Sequence, residues 1–465
     1  MYKRQATIGI KTLNPKIEFQ NWNLDVVTQN RKLRQTGKLV VGVNSFGFGG
    51  ANAHVILESA PPRSPAAEGK MAKTAPIPVL VSGKTPQALK AAARQMAEVL
   101  RGQPAKFLYN AAYHAAMRRD WHTERAVVFG THCNTIADQL QQFADEAESK
   151  PDVTVGTALN HACGPVMVYS GNGSQWANMG RRLLADPVFA TAIDEVDALF
   201  SQYADFSLHK ELAGENGDDR YERTEIGQPA LFALQVGITR MLAQRGVVPT
   251  AVIGHSVGEV AAAWACGALS LPDAVCVIFQ RSRLQGETKG QGRMTAVGIS
   301  GEEALALIAE HHLGDRVCVA GFNSSRGATV AGSPDALSVL EAALAEQALF
   351  FRRLDLDYAF HSPAMDPIES GIREALAGIQ PGTTHVPFYS TVTGAPLDGT
   401  ALTADYWWRN VREPVRFEQA ANRLAAEGNN IFVEIGPHPL LRSYLNDTLK
   451  TCLLYTSDAA DEGLG

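Results

Sequence analysis

The 465-residue chain is poor in cysteine and poor in charge. Its cysteines, Cys133, Cys163, Cys266, Cys276, Cys318 and Cys452, are scattered, with no Cys-x-x-Cys pair and no histidine ligand pattern beside them. That spacing argues against a disulfide framework or a zinc site, and it reads the thiols as small buried hydrophobes of a reducing compartment. Charged residues make up 19% and the net charge is -6, which provides no electrostatic footprint for nucleic acid or an anionic membrane surface. No run of about 18 apolar residues occurs, and the N-terminus lacks the apolar region of a secretory leader. The expectation is a cytoplasmic protein with no metal, no nucleic-acid partner and no membrane span.

Hydrophobic residues reach 45%, an ordinary globular share, and the length suggests about three domains of roughly 150 residues each. Forty-one glycines and 23 prolines suit a chain of many tight turns. The two ends, residues 1–5 and 452–465, resemble translations of the two strands of a sequencing-library adapter and are set aside as non-native.

Residues 6–58 end in the pattern Asn44-Ser45-Phe46-Gly47-Phe48-Gly49-Gly50-Ala51-Asn52-Ala53-His54-Val55-Ile56-Leu57-Glu58. The glycines mark a turn, and Val55-Ile56-Leu57 reads as a buried strand. This stretch resembles the C-terminal end of a ketosynthase domain. The nucleophilic Cys and second His of that family have no counterpart here, so His54 is an orphan without assigned activity. The Pro/Ala-rich run 60–69 is a connector. Beyond it lies a small αβ segment, taken with the connector as a domain over 59–163 and similar to the linker between ketosynthase and acyltransferase. Its expected elements are strands at Val79–Ser82 and Arg125–Gly130 and helices at Pro86–Leu100, capped by Thr85, and Asn134–Glu148.

From about residue 164 the rhythm is apolar strand, glycine turn, helix. Such strands without alternation argue for a parallel sheet covered on both faces, in an α/β fold of the α/β-hydrolase type. Between Met294 and Leu356 the order becomes β-α-β-β-α-β, a ferredoxin-like subdomain inserted over about 294–358. Gly254-His255-Ser256-Val257-Gly258 is a weak signal alone. It gains weight from the strand Ala251–Ile253 before it and the helix from Glu259 after it, ended by Gly267. A sharp strand-to-helix turn holds Ser256 in a strained backbone at a helix N-terminus, where free N–H groups favour an oxyanion. A serine of ordinary pKa needs a base, and His361 in Tyr358-Ala359-Phe360-His361 is the best candidate.

With these two motifs, Thr224–Ala230 and Val433–Leu441, residues 164–445 resemble the malonyl-CoA:carrier-protein transacylase family. The resemblance is to the acyltransferase domains of type I polyketide synthases. It implies Ser256 as nucleophile and His361 as base, with a backbone carbonyl in place of a triad carboxylate, so Asp355 and Asp357 have no catalytic part. The orienting carbonyl is expected from the loop Gly436–His438. The oxyanion hole is expected from the backbone N–H groups of Val257 and Asn172; the family usually has Gln at the latter position. Arg281 is implied as the anchor for the free carboxylate of a malonyl group, through a planar fork that monocarboxylic acyl groups leave unpaired. Without the resemblance it would read as a surface arginine. His255, Gln228, Phe360, Tyr358 and Asn323 complete the implied substrate-binding set.

The implied reaction moves a malonyl group from coenzyme A, through an ester on Ser256, to the phosphopantetheine thiol of an acyl carrier protein. No cofactor is bound; the pantetheine belongs to the partner, and the rest of a polyketide synthase chain is implied as well. The motif at 358–361 mixes the family's malonyl and methylmalonyl forms. Bulky Phe360 and the replacement of a common Gln by Val257 favour malonyl. The alternatives are a methylmalonyl-specific enzyme, an α/β-hydrolase-type thioesterase or esterase, and an inactive scaffold fragment.

Overall fold

A computed structural model describes residues 3–4, 7–32, 37–60, 76–146, 152–159, 161–216 and 220–452. The connector 60–69, apart from Ala60, and the distal end from 453 lie outside the described residues. Two compact units emerge, one taking in residues 1–80, 93–119 and 127–153, the other 81–92, 120–126 and 154–465.

In the first unit, strands Val40–Phe46 and Asn52–Glu58 form an antiparallel hairpin with Val43 opposite Val55. Gly50 takes φ +88° in the turn between them. The expected strand at Val55–Leu57 is present, but its burial is not: every residue of both strands is exposed. Among the described residues no second layer covers this two-stranded ribbon, so its apolar side chains are exposed. Helices Ala105–Met117 and Cys133–Ala144 bury Leu108, Ala111, Ala112 and Ala115 on one and Ile136, Ala137 and Leu140 on the other. The first of these helices was not anticipated from sequence, and the second stops short of Glu148. Strands Ile77–Gly83 and Glu124–Gly130 and helix Pro86–Leu100 lie where expected, and Thr85 Oγ1 accepts the Ala88 N–H at 3.2 Å.

The strands of the second unit from residue 164 onward are β1 (Val166–Tyr169), β2 (Ala251–Gly254), β3 (Arg293–Val297), β4 (Val317–Ser324), β5 (Gly327–Gly332), β6 (Phe351–Arg353), β7 (Phe388–Ser390), β8 (Ala395–Leu397), β9 (Val415–Arg416) and β10 (Phe432–Ile435). Among its helices are α1 (Thr224–Gln244), α2 (Gly258–Ala265), α3 (Leu271–Gly286), α4 (Gly301–Glu310), α5 (Pro334–Glu346) and α6 (Ala404–Arg412).

Strands β7, β2, β1 and β10 pair in parallel, in that order, and β8 closes the β7 edge antiparallel. The absence of alternation in β1 and β2 has a direct cause. Val166, Val168, Ala251 and Ile253 pack into one hydrophobic cluster while Met167, Tyr169 and Val252 pack into another, so both sheet faces are buried. The second sheet has the order β6-β3-β5-β4-β9, with antiparallel pairing among the first four. Helices α4 and α5 follow β3 and β5, giving the ferredoxin-like βαββαβ subdomain expected between 294 and 358, with its own core. Strand β9 joins it parallel to β4 from later in the chain.

Candidate active site

Ser256 stands between β2 and α2 with φ +53°, in the left-handed region that L-residues avoid. The turn tolerates this because its flanks have no side chains. A Cβ on Gly254 would lie 2.3 Å from the Glu259 nitrogen, and one on Gly258 would lie 2.2 Å from the Tyr169 carbonyl oxygen. The two glycines therefore let α2 dock against the end of β1, which thrusts Ser256 out at the helix N-terminus.

His361 follows the inserted subdomain and also takes a left-handed φ, +57°. Its Nε2 accepts from Ser256 Oγ at 2.7 Å, and its Nδ1 donates to the carbonyl oxygen of Glu413 at 2.8 Å. A carbonyl can only accept, so the proton sits on Nδ1 and the Nε2 lone pair faces the hydroxyl. Among the described residues no carboxylate contacts His361. Burial first, then the nearby Arg281 charge, pulls its pKa down to about 3, and the Glu413 carbonyl pulls the other way.

The source of that carbonyl corrects the expectation from sequence. The loop Gly436–His438 packs elsewhere: the Trp176 indole donates to the Pro437 carbonyl at 3.3 Å, and a Cβ on Gly436 would collide with Ser170 Oγ at 2.0 Å. Glu413 instead caps the C-terminus of α6. Pro414 follows it, disfavours helical backbone at Glu413 and has no N–H, so the helix ends and leaves carbonyls unpaired. The Glu-Pro step was the available signal.

Arg281 is buried, 1% exposed, and so is not a surface arginine. It donates from Nε to Asn410 Oδ1 (3.0 Å), from Nη1 to Gln228 Oε1 (2.5 Å) and Gln285 Oε1 (2.8 Å), and from Nη2 to Ser256 Oγ (3.2 Å). All four acceptors are neutral. Burial lowers its pKa to about 9, with the charge of Glu259 opposing, so the guanidinium stays protonated near neutral pH. Asn410 also donates from Nδ2 to the Ser256 carbonyl (3.1 Å) and to Glu259 Oε2 (2.8 Å), tying the strained serine to the arginine. Burial raises the pKa of Glu259, offset by donors from Thr391, Tyr406 and Asn410. Asn410, Gln285 and Glu259 were not singled out from sequence; Asn410 reaches Arg281 and Glu259 only through the fold, across 129 and 151 residues.

The remaining residues fall around this centre. His255 Nε2 pairs with Asn323 Oδ1 at 2.8 Å, which aims the ring away from Ser256 toward β4, and Asn323 also donates to Thr329. Burial holds the His255 pKa down. Tyr358 and Phe360 are buried and stacked, ring centroids 4.9 Å apart. Asn172 lies in the loop after β1, its side chain accepting from Gln175 Nε2 at 2.6 Å. Val257 directly precedes α2 as its N-cap. Among the described residues neither backbone N–H of these two meets a protein acceptor.

An elbow serine with a carbonyl-oriented histidine, set on a parallel sheet with a ferredoxin-like insertion, defines a serine acyl-transfer enzyme. Residues 166–463 match the acyl transferase domain family, and residues 14–129 match the ketoacyl-synthetase C-terminal extension. The chain belongs to the acyltransferase domains of modular polyketide synthases. It is 36% identical over 446 residues to the spectinabilin polyketide synthase system protein NorA' of Streptomyces orinoci, covering 95% of this chain but only 12% of that protein. The acyltransferase domain from module 8 of the salinomycin polyketide synthase superposes with a TM-score of 0.77 at 37% identity, over 81% of this chain and 89% of that one. The acyltransferase domain of SpnD, in complex with 2-(pent-4-yn-1-yl)malonyl, gives a TM-score of 0.70 at 27% identity, over 80% and 88%.

Proposed function

We propose that this acyltransferase loads a malonyl group from coenzyme A onto Ser256 and passes it to the phosphopantetheine thiol of an acyl carrier protein within a larger polyketide synthase. The observation that carries this reading is the convergence on one oxygen: Ser256 Oγ lies 2.7 Å from His361 Nε2 and 3.2 Å from Arg281 Nη2. A base and a buried cation at one nucleophile suit an acyl donor whose far end is anionic.

His361 takes the Ser256 proton as Oγ attacks the thioester carbonyl, and the N–H groups of Val257 and Asn172 receive the oxyanion. The carbon–sulfur bond breaks, the coenzyme A thiolate takes the proton back from His361, and an ester remains. The carrier thiol then gives its proton to His361, attacks the ester and leaves with the acyl group, restoring the Ser256 hydroxyl. Imidazole and amide groups suffice for these steps, with no bound cofactor called on. The substrate carboxylate also assists the base: it offsets the Arg281 charge that holds the His361 pKa down. The substituted malonyl carried by SpnD supports a dicarboxylic donor. Malonyl is preferred over methylmalonyl because Phe360, fixed by its stack on Tyr358, crowds a branch; one methyl group is worth about 1–3 kcal/mol.

Intact-protein mass spectrometry after brief incubation with malonyl-CoA, methylmalonyl-CoA and acetyl-CoA tests the reading. A malonyl adduct that dominates and is absent in Ser256→Ala is expected. Preferential acetyl loading, or release of free acid without any acceptor thiol, would replace the transferase reading with another donor or with a hydrolase.

A further inference from the structure

Gln285 sits one turn beyond Arg281 on α3, fully buried, with its amide only half used. Its Oε1 accepts from Arg281 Nη1 at 2.8 Å and from Gln228 Nε2 at 3.0 Å, while its Nε2 meets no acceptor among the described residues. Swapping the two ends of the amide does not relieve this. Nε2 would then face two donors, so the orientation is set by its neighbours. A buried N–H without a partner is destabilising.

Gln228 is the counterpart on α1. It is buried, and its Oε1 also accepts from Arg281 Nη1, at 2.5 Å. Two amide oxygens thus occupy the positions around Nη1 that a carboxylate would take, while Nη2 points at the nucleophile. When an anion displaces those oxygens, the amides can turn end for end and present N–H groups to it.

Resting on the malonyl reading above, we propose that Gln285 is a carboxylate-binding, specificity-determining residue. Its amide nitrogen donates to the distal carboxylate of the acyl group once Arg281 has drawn that carboxylate in. The buried site then gives the anion a guanidinium and an amide donor together, which a monocarboxylic acyl group cannot use. The unpartnered Nε2 of the resting state is the donor kept for it.

The test compares wild type with Gln285→Leu and Gln285→Met for Ser256 acylation by malonyl-CoA and by acetyl-CoA, alongside thermal unfolding. Hydrogen bonds to charged groups are worth about 1.5–3 kcal/mol, so malonyl kcat/KM should fall about 10- to 100-fold, mostly through KM, with acetyl loading changed less than about 2-fold. Both variants also remove the Oε1 that accepts from Arg281 and Gln228, and thermal unfolding measures that cost separately from the donor selectivity. Equal losses for both donors would mean that Gln285 only supports the fold, and unchanged malonyl loading would remove it from the site. If wild type itself takes no malonyl, the functional reading fails along with this one, whereas a wild type that loads malonyl with indifferent variants overturns only the role of Gln285.

Discussion

The oxygen of Ser256 is shared between a neutral imidazole and a protonated guanidinium, and the two affect each other's charge. The Arg281 charge is the second cause, after burial, of the depressed His361 pKa. Removing that charge stabilises the imidazolium, so Arg281→Ala should raise the His361 pKa. The acid limb of the pH profile for Ser256 acylation by acetyl-CoA, which needs no anchor, should lie well below 6.5 in wild type. It should move to higher pH in the variant; an unmoved limb would mean that the two groups are not coupled. Malonyl loading by the same variant should drop by about 100-fold or more, the order expected for losing a charged, buried partner.

At the level of elements, the site depends on how two chain turns are made. The β2–α2 elbow needs glycine at both flanks for space, not for the flexibility of the flanks themselves. Gly258→Ala would drive a methyl group into the Tyr169 carbonyl, 2.2 Å away, where backbone cannot yield cheaply. A loss of about 3 kcal/mol or more is expected, a fall in Tm of roughly 5 °C or more for a unit of this size, together with loss of Ser256 acylation. A variant with wild-type Tm would show that α2 can slide to make room. The second turn is the end of α6, where Glu413 and Pro414 leave a carbonyl for His361. The elbow was legible because Gly-x-Ser-x-Gly between an apolar strand and a helix has one geometry. The orienting carbonyl was not, since any unpaired carbonyl can serve and only packing chooses among them.

Over the whole molecule, buried His361 and half-buried His255 both have lowered pKa values, and that makes stability depend on pH. The folded pKa of His361 is about 3 against an ordinary 6.5, so between these values the unfolded chain binds more protons. The stability from keeping this ring neutral is complete above pH 6.5 and is lost as pH falls toward 3, by up to about 1.4 kcal/mol per pH unit. His255 acts in the same direction. Glu259, whose pKa is raised, acts in the opposite one, so the informative quantity is a difference. Wild type minus His361→Gln, followed by denaturant unfolding from pH 7.5 to 5, should show the wild type losing stability faster toward acid. Parallel curves would mean that His361 is solvated and titrates normally.

Composition and local pattern were enough to establish the parallel α/β sheet, the ferredoxin-like insertion and the serine elbow. Each rests on short-range features: unbroken apolar strands, the order of elements, and glycines beside a nucleophile. The hairpin strand at Val55–Leu57 was legible as a strand but not as an exposed one, because burial depends on a covering layer that strand sequence does not encode. Tertiary structure alone decided that the Glu413 carbonyl, and not the Gly436–His438 loop, holds His361. It alone brought Asn410 and Gln228 to Arg281, whereas Gln285 follows Arg281 by one turn of the same helix. Hydrogen-bond partners of buried polar groups are chosen by proximity across the fold, over separations in the chain of 129 residues for Asn410 and 53 for Gln228. No local pattern reaches that far.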